Sequence, residues 1–100
     1  MTHVRLRYGA EMRVEACDHA TGSPAVCAAV SCLLYTLKGW LANTEDARIA
    51  EERMDDGDVC FAWSGGAGSE TVMDFLMIGF LSLMETAPEY ITVEITEENG

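Results

Sequence analysis

The chain has 100 residues, of which 49% are hydrophobic and 23% charged, and 17 acidic residues against 6 basic ones give a formal net charge of −11. This hydrophobic content excludes a disordered chain and is enough to fill the core of one domain, residues 1–100. The acidic balance excludes duplex nucleic acid as an expected direct partner, because phosphate binding needs a positive surface, and it favours basic partners.

The N-terminal part of the chain predicts a β-hairpin. Apolar and charged residues alternate over residues 4–8 and again over residues 12–16, which is typical of strands with one buried face. Gly9 and Ala10 lie between them and predict the turn. The N-terminus lacks the apolar run of a secretory signal, so we expect a cytoplasmic protein with reduced thiols.

A helix is predicted directly after the hairpin. Ser23 is a good N-cap, and Pro24 suits the first helical position because proline has no N–H to leave unpaired. Apolar residues recur at helical spacing through residues 26–41, and the helix is expected to end at Gly39 or Asn43. Lys38 interrupts this segment, so we expect a buried helix and no membrane span.

The second half repeats this pattern and adds a strand. Residues 47–54 are weakly patterned, residues 55–58 are a clear turn signal, and residues 59–63 alternate as a strand. A glycine-rich loop over residues 64–68 precedes a second helix, for which Ser69 is the expected N-cap and Pro88 the stop. Residues 90–96 predict a last strand and residues 97–100 a solvated tail. The expected fold is α/β (α+β), a central mainly antiparallel sheet with two helices in the order β-β-α-β-β-α-β.

The second helix is apolar on almost every face. Val72, Phe75, Leu76 and Phe80 lie on one stripe, and methionines and leucines occupy much of the remaining surface. Large exposed apolar patches usually indicate a partner, so we expect a homodimer through this helix or a sheet edge. The alternative is that the third and fourth strands wrap around and cover the helix.

Catalytic chemistry is most plausible at Cys27 and His19. Cys27 is the fourth residue of the predicted first helix, near its unpaired N–H groups and positive dipole end, which favour a thiolate and a developing oxyanion. His19, only eight positions upstream, would serve as general base and later as general acid. Spacing alone leaves other interpretations open: a core thiol, a redox pair of Cys27 with Cys17 or Cys32, or a zinc site at Cys17, His19 and Cys27.

The residues around this pair resemble the bacterial ribosomal-processing cysteine protease (Prp) family. Asp18-His19-Ala20, a short loop containing glycine, and Val26-Cys27-Ala28-Ala29-Val30-Ser31 are similar to that family's Gly-His-Ala segment, loop and Asp-Ile-Val-Cys-Ala-Ala-Val-Ser motif. Chain length, acidic character and the order of elements also fit, so the resemblance extends over the whole chain.

The resemblance implies a homodimeric Cys–His dyad protease that needs no metal or cofactor. By this likeness Cys27 is the nucleophile and His19 the general base and acid, while Ser31, one helical turn after the cysteine, supports the site. Family members remove a short N-terminal extension from the large-subunit ribosomal protein L twenty-seven, a basic protein, cutting after an aromatic residue.

Three features depart from the family pattern. Asp18 replaces a glycine, Pro24 replaces an aspartate, and the loop before Cys27 is shorter; Ser23 is expected to cap the helix in place of the aspartate. The glycine loop lacks the residues of a phosphate-binding motif. It is expected either to turn the chain tightly or to line a peptide groove beside Cys27 with Gly65, Gly66 and Ala67. The function classes left open are a non-catalytic acidic interaction domain and a redox-active thiol protein.

Overall fold

A computed structural model describes residues 1–17, 23–55 and 57–98. It contains five strands and two helices in the predicted order, so the expected fold class is confirmed. The elements are β1 (Thr2–Tyr8), β2 (Glu11–Cys17), α1 (Pro24–Asn43), β3 (Ala47–Asp55), β4 (Asp58–Gly65), α2 (Ser69–Thr86) and β5 (Ile91–Glu97).

The five strands form one sheet in the order β3-β4-β2-β1-β5. The pairs β1–β2, β2–β4 and β3–β4 are antiparallel, whereas β5 adds to the outer side of β1 in parallel. A parallel pair needs a crossover connection, and the chain from β4 through α2 supplies it. The sheet is therefore mainly antiparallel, as predicted.

Both helices contribute to a hydrophobic core on one face of the sheet. The alternating apolar residues of β1, β2 and β4 point to that face, and α1 packs on them with a stripe at helical spacing, which consists of Val26, Val30, Leu34, Leu37 and Leu41. By length and composition alone α1 is apolar enough to cross a membrane, with a mean hydropathy of 1.5. In the structure this stripe is instead buried against the sheet.

The opposite face of the sheet, here called the helix-free face, carries the other half of each alternating pattern. His3, Arg5 and Arg7 of β1 point to it, and by register so do Arg13 and Glu15 of β2. Neither α1 nor α2 covers this face. The sheet therefore separates these charged side chains from α1.

Two local expectations need correction. Ser69 is the first residue of α2 and not its N-cap, a position that Gly68 takes with a left-handed φ of 86°. The Ser69 hydroxyl instead accepts a hydrogen bond from Trp63 Nε1 at 2.8 Å. Glu97, expected in the tail, belongs to β5 because the parallel ladder with β1 continues to Tyr8. The predicted third strand is confirmed: it is Ala47–Asp55, nine residues long, and a bulge between Ile49 and Glu51 breaks its alternation.

Candidate active site

Cys27 lies in the first turn of α1, as the sequence predicted. Ser23 is the N-cap, and its Oγ accepts a hydrogen bond from the Val26 N–H at 3.4 Å. Pro24 occupies the first helical position, and the Cys27 N–H donates to the Ser23 carbonyl at 3.0 Å. The side chain of Cys27 is half-buried. A thiol is thereby fixed at the positive end of a 20-residue helix whose first turn contains no acidic side chain.

The start of α1 lies at the end of the sheet where β2 finishes. Trp40, in the last turn of α1, packs against Trp63 near the end of β4, with ring centroids 6.1 Å apart. Because β4 is antiparallel to β2, this contact fixes the C-terminus of α1 at the other end of the sheet. The N-terminus of α1, with Cys27, therefore lies toward Cys17, the last residue of β2.

His19 and Asp18 lie outside the described residues, so their positions relative to Cys27 remain predictions. The second histidine of the chain, His3, points to the helix-free face, where its Nδ1 lies 2.8 Å from Thr92 Oγ1. The sheet therefore separates His3 from Cys27. Of the two histidines in the sequence, only His19 remains as a candidate base.

The four cysteines occupy different environments, and none is in a disulfide. Cys17 points to the helix-free face, where its thiol lies 3.8 Å from the His3 carbonyl oxygen. Cys32 is exposed on α1, five residues after the half-buried Cys27, so the two thiols point in different directions. A redox pair of Cys27 with either of these thiols is disfavoured by this geometry.

Cys60 is a buried thiol whose environment disfavours the reactive thiolate form. It is only 1% exposed on β4 and donates a hydrogen bond to Glu51 Oε2 at 3.2 Å. Burial, together with this carboxylate, raises the pKa of Cys60 to about 11. The same hydrogen bond and the nearby guanidinium of Arg13 hold the pKa of Glu51 below its usual value. Cys60 is therefore a structural thiol.

Ser31 lies one helical turn after Cys27 and is half-buried. Residues four positions apart on a helix are neighbours on one face, so Ser31 and Cys27 share a side of α1. Ser23, Cys27 and Ser31 are thus brought together by the first two turns of one helix. Their grouping needs no long-range contact, which is why the sequence could predict it.

The structure does not bring the glycine loop next to Cys27. Gly65 and Gly66 both have left-handed φ values, 75° and 92°, and a Cβ at Gly66 would lie 3.2 Å from the Trp40 ring. Trp40 comes thirteen positions after Cys27 in α1, which is about 20 Å along the helix axis at 1.5 Å per residue. The loop therefore makes a tight turn against the far end of α1, and within one chain Gly65, Gly66 and Ala67 do not lie beside the thiol.

A metal site gains no support from the part of the chain that the structure describes. Across residues 1–17, 23–55 and 57–98, no group of three or more His, Cys, Asp or Glu side chains is arranged to hold a metal ion. The zinc alternative at Cys17, His19 and Cys27 includes a residue outside this part. Of its two described members, Cys17 points to the helix-free face, whereas Cys27 lies on α1 on the other side of the sheet.

Comparisons with known proteins show the fold. No family model matches the chain, and no curated protein sequence matches it significantly. Among solved structures, the chain is similar to SMU.848 from Streptococcus mutans, with a TM-score of 0.74, 24% identity, and 98% of this chain and 99% of that one covered. It is also similar to an essential ribosomal processing protease, Prp, from Staphylococcus aureus, solved in complex with a covalently linked product peptide; the TM-score is 0.79 at 16% identity, over 95% of this chain and 99% of that one.

A third similar structure is a hypothetical protein from Staphylococcus aureus, with a TM-score of 0.69, 11% identity, and 95% of this chain and 99% of that one covered. All three likenesses extend over nearly the full length of both chains. The chain therefore has a Prp-like fold, and that fold includes a protein that acts as a protease on a peptide.

Proposed function

We propose that this protein is a cysteine peptidase of the Prp type that removes the N-terminal extension of the large-subunit ribosomal protein L twenty-seven in the cytoplasm. The observation that carries the proposal is the position of Cys27 in the first turn of α1, in a chain whose fold matches that of a ribosomal processing protease over 95% of its length. Cys27 is the nucleophile, and His19 is the general base and acid.

The chemistry needs a thiolate, a proton carrier and a place for negative charge. The positive end of α1 and a protonated His19 stabilise the Cys27 thiolate and lower its pKa. The thiolate attacks the scissile carbonyl carbon, and the helix N-terminus stabilises the oxyanion that forms. His19 protonates the leaving amine as the C–N bond breaks. Water, deprotonated by the same histidine, then hydrolyses the thioester and restores the thiol. No metal or cofactor takes part in this proposal.

Ser23 and Ser31 support the nucleophile from the same helix. Ser23 caps the helix start and thereby fixes the backbone that presents Cys27. Ser31 shares the Cys27 side of α1 and supports the site by hydrogen bonding. Pro24, which replaces a carboxylate of the family motif, leaves the first turn without an acidic group that would compete with the thiolate for the positive helix end.

A basic protein is the substrate class that suits the charge of the chain. The formal net charge of −11 attracts a positively charged polypeptide over distances up to the Debye length, about 8 Å at physiological ionic strength. A ribosomal protein, which must bind RNA, has that charge. Its extension would enter the site as an extended peptide.

The outer surfaces of the two helices are the proposed dimer interface. Tyr35 of α1 and Phe75 and Ile78 of α2 are 60%, 69% and 58% exposed, and no described strand covers them. The only charged residue of α1 is Lys38, and between residues 71 and 84 α2 has only Asp74. A surface so poor in charge, in a chain that is 23% charged, fits a second copy of itself.

Alkylation of single thiols tests the nucleophile with an internal control. Iodoacetamide labelling across pH, read by peptide mass spectrometry, measures Cys27 and Cys32 in the same molecule. We expect Cys27 to react at a pH well below that at which Cys32 reacts, and His19→Ala to shift the Cys27 profile upward while leaving Cys32 unchanged. Identical profiles for the two thiols, unaffected by His19→Ala, would contradict the dyad.

Cleavage of the extended ribosomal protein tests the substrate. The protein is mixed with ribosomal protein L twenty-seven that carries its N-terminal extension, and we expect one new N-terminus after an aromatic residue. Cys27→Ala should abolish the product and Cys32→Ala should not. If Cys27 is alkylated at lower pH than Cys32 but no cleavage occurs, the ribosomal protein is not the substrate. If Cys27 is alkylated like Cys32 and no cleavage occurs, the result favours a non-catalytic interaction domain.

A further inference from the structure

The arginines of this acidic protein are concentrated on the helix-free face. By register, Arg5 and Arg7 of β1, Arg13 of β2, and Arg48 and Arg53 of β3 all point to it. The sixth basic residue of the chain is a lysine on α1. Arginine presents a planar fork of donors that matches a carboxylate or phosphate group, and lysine does not.

Three of these arginines surround one concavity on that face. Arg7 and Arg13 are directly opposite each other across β1 and β2, and Arg5 is the next residue of β1 on the same face. Like charges in directly opposite positions destabilise a sheet, and the Glu11 carboxylate, 3.6 Å from Arg7 Nη2 and 3.8 Å from Arg13 Nη1, offsets part of this repulsion. The concavity has a volume of about 180 Å³ and is lined by Arg5, Arg7, Arg13, Glu15, Glu94 and Thr96.

The carboxylates of this face satisfy the three guanidinium groups unequally. Arg13 is held by Glu15 and, at 2.9 Å, by Glu51. Arg7 Nη2 lies 3.6 Å from Glu11, and Arg5 Nε lies 3.6 Å from Glu94, both longer than a charged hydrogen bond.

The Nε atom of Arg7 is a buried hydrogen-bond donor that the carboxylates of this face do not satisfy. It is buried, and it has no hydrogen-bond partner among the residues that the structure describes. A buried polar atom without a partner usually indicates a missing water or ion. The Arg7 side chain as a whole is 38% exposed and lines the concavity, so rotation of its outer torsions would bring Nε to an acceptor bound there.

We propose that Arg5, Arg7 and Arg13 bind a small oxyanion, a phosphate or carboxylate group, in this concavity. Arg13, already oriented by Glu15 and Glu51, forms the fixed wall. Arg7 supplies the unpaired Nε–H, and Arg5 supplies a guanidinium that Glu94 holds only at 3.6 Å. The ligand is small because the net charge of −11 repels polyanions such as RNA. The site lies on the opposite side of the sheet from Cys27, so it is independent of the proposed protease reaction.

Binding is tested by NMR of the arginine Nε–H groups. The ¹⁵N-labelled full chain is titrated with sodium phosphate and, separately, with sodium acetate, at constant ionic strength set by sodium chloride. We expect a saturable shift of the Arg7 Nε–H signal with at least one of the two anions. Saturation by phosphate alone identifies a phosphate site, and saturation by acetate alone identifies a carboxylate site.

Two matched variants separate a built site from general attraction to positive charge. Arg7→Lys keeps the charge but removes the Nε–H donor, and we expect about tenfold weaker binding, followed through the backbone amides of β1. Arg48→Lys makes the same change on β3, away from the concavity, and should leave binding unchanged. Arg5→Lys serves as a second concavity variant if Arg7→Lys does not fold.

A linear, unsaturated shift with both anions would overturn the proposal, as would equal weakening by Arg7→Lys and Arg48→Lys. The alkylation profile of Cys27 in Arg7→Lys should equal that of the wild type. Failure of the anion site and failure of the protease proposal are therefore distinguishable, because one is read at Arg7 and the other at Cys27.

Discussion

Gly79 of α2 packs against Leu33 of α1, and its replacement tests how tightly the two helices pack. A Cβ added at Gly79 would lie 2.8 Å from Leu33 Cδ2 and 3.1 Å from Leu33 Cδ1. Gly39, inside α1, has nothing within 4 Å of the corresponding point. The chain thus offers two helical glycines that differ in whether a methyl group fits.

The expected effects have opposite signs. Alanine in place of a helical glycine stabilises by about 1 kcal/mol, because the unfolded chain loses less conformational freedom on folding. Gly39→Ala should raise the free energy of unfolding by most of this amount. Gly79→Ala also forces Leu33 aside, and overpacking of this kind costs about 1–3 kcal/mol. We expect Gly79→Ala to be destabilising by about 1 kcal/mol, and the two variants to differ by about 2 kcal/mol.

Urea unfolding followed by far-ultraviolet circular dichroism at one fixed protein concentration measures the difference. For a chain of this length, about 1 kcal/mol corresponds to a shift in melting temperature of about 4–8 °C, which gives an independent readout. A double-mutant cycle assigns the cause. In a Leu33→Ala background the clash is gone, so Gly79→Ala should become stabilising, with a coupling energy of about 2 kcal/mol between the two sites.

Two results would refute this reasoning. If Gly79→Ala stabilises as much as Gly39→Ala does, α1 and α2 have room for the methyl group. If Gly79→Ala destabilises equally with and without Leu33, the cost arises somewhere other than this contact. Either result would remove Gly79 as the reason for the close approach of the two helices.

Three further predictions concern other contacts. Tyr8→Phe removes the hydroxyl that donates to Asp74 at 2.7 Å between β1 and α2, and should lower the free energy of unfolding by about 1 kcal/mol in urea; the same loss in an Asp74→Ala background would show that this bond contributes nothing. Cys60→Ala removes a donor to Glu51, so the pKa of that carboxyl should rise toward its usual value in a ¹³C NMR titration. Because a carboxylate with a lowered folded pKa loses its stabilisation as pH falls through that pKa, the variant should lose less stability in acid; an unchanged titration would count against the contact. Phe75→Glu should shift sedimentation from dimer to monomer with the Cys27 alkylation profile unchanged, and a wild-type monomer at high micromolar concentration would refute the dimer.

Local signals in the sequence determined the elements and the position of the candidate nucleophile. Ser23 and Pro24 fix the start of α1 by short-range backbone chemistry, and Cys27 and Ser31 then fall on one side of the helix by its period alone. Alternation identified β1, β2 and β4 in the same way. It was weakest at β3, where the bulge between Ile49 and Glu51 interrupts the period.

Only the tertiary structure decided which strands, loops and side chains are neighbours in space. The parallel addition of β5 to β1 depends on long-range pairing, which no local pattern encodes, and it also drew Glu97 from the expected tail into the sheet. The glycine loop had the composition of a groove wall, yet the antiparallel course of β4 put Gly66 against Trp40 at the far end of α1 from Cys27. Likewise, the sequence placed the arginines on alternating strand positions, but strand order and register brought Arg7 opposite Arg13, because residues far apart in the chain become neighbours only when the strands pair.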